Sequence, residues 1–264
     1  DRDTTMTTLD GGVAFDGTTL FIDELTADAP EAHVRLDGTV HLLADEQRLD
    51  MRYDGRLDAE RVAPWVGLDP TPRGSVAFSG TVVGPLGTPD VTLDVTSDAL
   101  VWSTLGDLTL ELRAALSGPV AAVEFFRATL AGGEVSGSAQ LRLDNEGTSG
   151  VDAQFTDLNL GLLGSLAPDV PVRLATVADG AVALAWTDQD LNTALGTVST
   201  RLRALTPTTR ALGLAGRLDL TLERETWTLS LDQRVGNTVV LRGDVDGRRV
   251  DSNLAASTIM GRGS

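Results

Sequence analysis

The sequence predicts an all-β protein: an elongated, strongly curved antiparallel sheet that forms a hydrophobic groove, with one or two short helices. Three observations point to it. Apolar and polar residues alternate almost from end to end, which is the period of a strand with one buried face. Glycine accounts for 28 of 264 residues, against a usual ~7%. Six glycines follow Asp, at 10–11, 16–17, 37–38, 54–55, 179–180 and 246–247, and read as turns between many short strands. Last, Gly38, Gly80, Gly137, Gly216 and Gly243 sit inside alternating runs, on the apolar side. A sheet bent around a hollow has use for residues without side chains on its crowded concave face. Bulges in an ordinary β-sandwich account for the same glycines.

Taken in chain order, Val34, Leu36, Val40 and Leu42 form a first apolar face, and Leu49, Met51 and Tyr53 a second. Residues 58–67 break the period. Asp58 is a good N-cap and Val62, Trp65 and Val66 share a helical face, while Pro64 limits the helix to a turn or two. Residues 74–95 then read as strand, turn, strand. Val76, Phe78 and Val82 alternate with Ala77, Ser79 and Thr81; residues 84–89 carry two Gly and two Pro; Val91, Leu93 and Val95 follow with the same period. Further strands are predicted at Leu108, Leu110 and Leu112, and at Val135, Ala139, Leu141 and Leu143. Residues 159–168 give a second short helix, with Leu160, Leu163 and Ala167 apolar. Val182, Leu184 and Trp186 form the next strand, then Leu218, Leu220 and Leu222, then Trp227, Leu229 and Leu231, and last Val239, Leu241 and Val245.

This order contains an internal repeat. Residues 34–40 match 135–141, and each leads through an aromatic-ended strand (Tyr53, Phe155) into a short helix. Residues 74–78 then correspond to 180–184. The chain divides accordingly into a first unit at 1–118 and a second, more divergent one at 119–264, continuous with the first. It opens on Asp, not Met, and is read as a fragment of a longer protein.

Composition excludes several functions. Net charge is −17, which opposes a nucleic-acid partner, because that affinity comes from cationic contacts to phosphates. Cysteine is absent, and all 21 basic residues are Arg, which removes thiolate metal sites, P-loops and Schiff-base chemistry. His33 and His41 are eight residues apart, about 26 Å along a strand, and cannot share a metal. No nucleophile elbow, zinc-protease or dinucleotide motif occurs. Asp244, Asp246 and Gly247 lack the downstream Glu of a calcium loop and read as a turn. No catalytic constellation and no cofactor are expected. The chain is read as a non-enzyme whose working surface is aliphatic.

At residues 80–91 the chain resembles the TamB family, the inner-membrane subunit of the translocation and assembly module in the AsmA-like superfamily. The Gly-x-Val-x-Gly-x-Leu-x-x-Pro-x-Val pattern lies there, a Leu-Asp-x-x-x-x-Ala-Pro-Trp helix at 57–65, and a Gly-Gly-x-Val-x-Gly-Ser strand at 132–138. The resemblance covers residues 15–145 well and the second unit loosely. It implies a taco-like groove attached to the inner membrane by a segment not present here. Such a groove crosses the periplasm, carries phospholipid toward the outer membrane, and supports outer-membrane protein assembly and secretion with a β-barrel partner. The groove lining would be the apolar strand residues above from Val76 to Leu241, leaving out Ala139 and Leu143. The competing reading is a non-catalytic extracellular β-sandwich for adhesion or structure.

Overall fold

The computed structural model describes residues 8–42, 47–65, 71–102, 105–144, 146–164, 173–187, 190–206, 211–235, 238–250 and 253–263. Nearly all of them are antiparallel β-structure, and the chain separates into two compact units. The first is Asp1–Ser103 with Asp107–Phe126, and the second Thr104–Gly106 with Arg127–Ser264.

The first unit contains β1 (Thr8–Phe15), β2 (Thr19–Asp28), β3 (Ala32–His41), β4 (Arg48–Asp58), β5 (Ser75–Pro85), β6 (Asp90–Val101) and β7 (Asp107–Ser117). These seven pair in chain order, β1 with β2 through β6 with β7. β8 (Val120–Leu130) contributes residues to both units, with the division after Phe126. The second unit contains β9 (Gly133–Arg142), β10 (Thr148–Asn159), β11 (Thr176–Thr187) and β12 (Leu195–Ala204). It continues with β13 (Leu214–Leu222), β14 (Thr226–Val235), β15 (Thr238–Val250) and β16 (Asn253–Gly263). These too pair in chain order. Within either unit, no strand packs extensively on any strand but its ladder neighbours, among the described residues.

The two helices form where their caps predict. Asp58 accepts the Glu60 amide and starts α1 (Ala59–Val62), which tightens into a 3-10 turn at Ala63–Trp65. Asn159 accepts the amides of Gly161 and Leu162 and starts α2 (Leu160–Leu163). The repeat is structural: strand, strand, short helix, strand recurs as β3, β4, α1, β5 and as β9, β10, α2, β11. One correspondence shifts. Tyr53 stands opposite Gly80 and Phe155 opposite Gly180, so Gly180 matches Gly80 rather than Gly74.

The Asp-Gly pairs behave differently from the hairpin reading. Only Asp16-Gly17 lies in a turn; the other five lie inside strands, including Asp246-Gly247 in β15. The strands are correspondingly long, from 8 to 13 residues. Close backbone approach explains the glycines. A Cβ on Gly80 would strike the Thr92 carbonyl of β6, and one on Gly216, at φ 143°, the Asp232 carbonyl of β14. An aromatic ring from the adjacent strand lies over some of these bare positions. Tyr53 covers Gly80, Phe78 covers Gly55, Phe155 covers Gly180 and Trp227 covers Gly247, each directly across the ladder. Tyr53 reaches across Gly80 to donate to the Thr92 carbonyl at 2.7 Å.

Two bulges add curvature. At each, a non-glycine residue takes a left-handed conformation, Glu24 at φ 48° and Asp157 at φ 54°. Each amide donates to an Asp on the next strand, Asp37 at 2.8 Å and Asp179 at 2.9 Å. An Arg then ties bulge to acceptor: Arg35 binds Glu24 and Asp37, and Arg203 binds Asp157 and Asp179. Hydrogen bonds from the Arg203 guanidinium and the Asp157 amide hold the Asp179 carboxyl below its usual range.

Gly80→Val and Gly216→Val are expected to lower stability by about 1–3 kcal/mol, because the added groups meet backbone that cannot step aside. Gly87→Val, where a Cβ meets nothing within 4 Å, serves as control; equal thermal midpoints for all three would refute the close-approach account. The second clasp predicts a pH dependence. A carboxyl whose folded pKa lies below its unfolded value adds stability above the unfolded value and loses it as pH falls through the folded one. The melting midpoint of Arg203→Gln should therefore lie below wild type near neutrality, and the gap should close in acid. A pH-independent gap would rule out the charge linkage.

Candidate functional site

Register decides which residues share a surface. In the first unit Phe78 stands opposite Val95, Val82 opposite Val91, and Val95 in turn opposite Leu112. Leu93 lies beside Gly80, and Leu110 beside Ser97. A bulge in β6 after Ser97 restores phase so that Leu108 faces Leu100. Val76 pairs with Leu57 of β4. The same face continues through Leu36 and Val40 of β3 and Leu20 and Ile22 of β2 to Leu9, Val13 and Phe15 of β1.

In the second unit Val135 faces Phe155, Val151 faces Leu184 and Ser149 faces Trp186. Val182 faces Val198, which faces Leu220, which faces Leu229, which faces Val245. Leu218 stands opposite Leu231 and Leu222 opposite Trp227. Leu141 shares the face of Val135 but is 38% exposed. The side chains of Val239 and Leu241 lie outside the described residues. By backbone register Leu241 is opposite Gln233, whereas Val239 falls beyond a bulge, opposite Arg234.

Each unit thus presents one aliphatic face that its own strands do not cover. Most of its side chains are half-buried by their neighbours in the sheet. The bulkiest fully buried side chain among the described residues is only Thr176, where two packed layers would bury many leucines completely. The β1 end is open: Leu9, Val13 and Phe15 are 57, 60 and 58% exposed. β1 also pairs only with β2 among the described residues, leaving an unpaired edge.

Polar groups on this face are turned to the backbone. Ser97 donates to the Ser75 carbonyl at 2.7 Å, Ser149 accepts the Arg142 amide at 3.0 Å, and Thr176 accepts the Leu214 amide at 2.9 Å. Gln233 donates to the Arg217 carbonyl at 3.0 Å, while its own carbonyl and the Trp227 indole nitrogen are buried without partners. Alternation alone did not reveal these four, because each replaces an aliphatic residue in phase. The aromatic lids over glycine were equally hidden, since pairing a ring with a glycine needs the register.

The opposite face is charged. His33 and His41 both lie on it, His33 against Asp28 at 2.5 Å and His41 against Thr19 at 3.0 Å. Among the described residues no three His, Asp or Glu side chains gather as a metal site, and no helix is long and apolar enough to cross a membrane. An uncovered aliphatic face of this kind suits a ligand that offers bulk and no hydrogen bonds. Comparison with family models, curated proteins and solved structures found no match to the chain.

Proposed function

We propose that the chain is a non-catalytic segment of a hydrophobic β-groove that carries phospholipid acyl chains. The observation that carries this reading is the row of aliphatic side chains held in register across successive strands, with no second layer of its own unit over them. Each acyl methylene withdrawn from water onto such a surface gains about 0.8 kcal/mol. The surface is aliphatic, so it grips without specifying position, and an acyl chain slides along it. The resemblance to TamB repeats supports a setting between two membranes. There the groove would be attached to the inner membrane by a segment outside this sequence, and would act with an outer-membrane barrel in lipid delivery and protein assembly. An adhesive β-sandwich is less well supported, because it needs a second sheet packed on the aliphatic face of each unit.

Leu220 and Leu229 face each other across β13 and β14 and are half-buried. In a closed core, Arg at either position would bury an unpaired charge at a cost of several kcal/mol. On an open face the Arg stem lies along the wall and its head reaches water. Leu220→Arg and Leu229→Arg are therefore expected to fold, by circular dichroism melting, and to lose the lipid that mass spectrometry detects in the purified wild type. Thr221→Arg, on the charged face, should keep it. Unfolded leucine variants, or a wild type purified without lipid from lipid-rich cells, would reject the conduit.

A further inference from the structure

On the charged face of the second unit, residues of β11 to β14 line an open hollow of about 910 Å³. Its charged side chains are Asp179, Arg201, Arg203, Arg217, Asp232 and Arg234, and Ala215 lies among them. The ladder explains why the arginines converge. Arg201 stands opposite Arg217, Arg217 opposite Asp232, and Ala215 opposite Arg234. Facing residues lie roughly 5 Å apart across strands and same-face neighbours about 7 Å apart along them. Four arginine positions on three strands therefore surround Ala215. Gly216, at φ 143°, lies at the same point.

Two of the four arginines are engaged, Arg203 by Asp157 and Asp179, and Arg217 by Asp219 at 2.5 Å. Asp232 is held by Arg242 at 2.9 Å. Arg201 and Arg234 make no ion pair among the described residues. Like charges directly across a strand pair are unfavourable, and Arg201 and Arg217 form such a pair. The acidic character of the chain does not extend here. Residues 1–190 contain 31 Asp and Glu against 11 Arg, whereas residues 191–264 contain seven against ten. A hollow on β3 to β6 of the first unit differs. Asp54 and Asp94 balance Arg56 there, and Arg113 is bound to Asp94 at 2.7 Å.

We infer that the arginine-ringed hollow on β11 to β14 binds a phosphate-type oxyanion, with Arg201 and Arg234 as its free ligands. Planar guanidiniums pair bidentately with tetrahedral oxyanions, and several of them together call for a ligand with several acceptor oxygens and more than one negative charge. A bare phosphate leaves most of the volume empty, so the oxyanion belongs to a larger group: a free phosphoanhydride or the headgroup of an anionic phospholipid. The site lies on the face opposite the aliphatic one and does not rest on the acyl-chain reading. The net charge of −17 does not prevent it, because at physiological salt charges are screened within about 8 Å.

The test uses the full chain. Pyrophosphate is titrated by calorimetry at ionic strength held constant with chloride, and vesicles of phosphatidylglycerol are compared with vesicles of phosphatidylcholine by co-sedimentation. The double variant Arg201→Gln/Arg234→Gln removes only exposed, unengaged side chains, and Arg52→Gln, exposed on the charged face of β4, controls for net charge. The wild type is expected to bind pyrophosphate, the anionic vesicles in preference to the neutral ones, or both. The double variant should weaken that binding about tenfold or more, with its melting curve unchanged and with extractable acyl lipid retained. Pyrophosphate alone identifies a soluble ligand, and vesicles alone a headgroup. Binding of neither, binding that survives the double substitution, or an equal loss in Arg52→Gln overturns the site.

Discussion

The structure depends on phase. Most strands carry their apolar residues at alternate positions, and the ladders within each unit keep those positions aligned from one strand to the next. A slip of one residue between any two strands would send a whole aliphatic row to the charged side. The chain protects the phase with pairs that only one register satisfies. Arg203 reaches both Asp157 and Asp179, and Tyr53 and Phe155 each fit over one glycine. Since each strand packs mainly on its neighbours, within each unit stability accrues strand by strand, as in repeat proteins, rather than from one central core.

Curvature follows from the same neighbour-by-neighbour construction. Glycine lets the backbones close in until a carbonyl occupies the space a Cβ would need, and an aromatic ring from the next strand covers the gap on the aliphatic side. The bulges at Glu24 and Asp157 bend the sheet without glycine. Their left-handed conformations are held by an Asp that takes the exposed amide and an Arg that neutralises the pair of carboxylates. These two devices explain how a chain with few aromatics and hardly any fully buried side chain keeps a defined surface.

The two faces offer different chemistry. The aliphatic one has its hydroxyls turned to backbone partners at strand ends, so its middle presents bulk and little direction. The charged one carries acid–Arg pairs at several points across and along its strands. At Arg201 and Arg234, which make no ion pair among the described residues, the charge borders a hollow. A surface for acyl chains and a separate surface for an oxyanion are compatible in one sheet because its two sides never share side chains.

The sequence by itself determined most of the strands and both short helices, because these are local: a period of two, a capping Asp58, apolar residues at helical spacing; β1, β2, β8, β12 and β16 carry no run that it marked. It also made the repeat visible. Tertiary structure decided what pairing decides. Asp-Gly reads as a turn in isolation, yet at 54–55 and 179–180 it lies mid-strand, because the adjacent backbone and a facing ring leave no room for a Cβ there. Whether the aliphatic faces met each other in a sandwich or stayed uncovered within each unit was likewise not local, since the same alternation serves both. The ring of Arg201, Arg203, Arg217 and Arg234 spans three strands and more than thirty residues of chain. Only the register between β12, β13 and β14 brings it together.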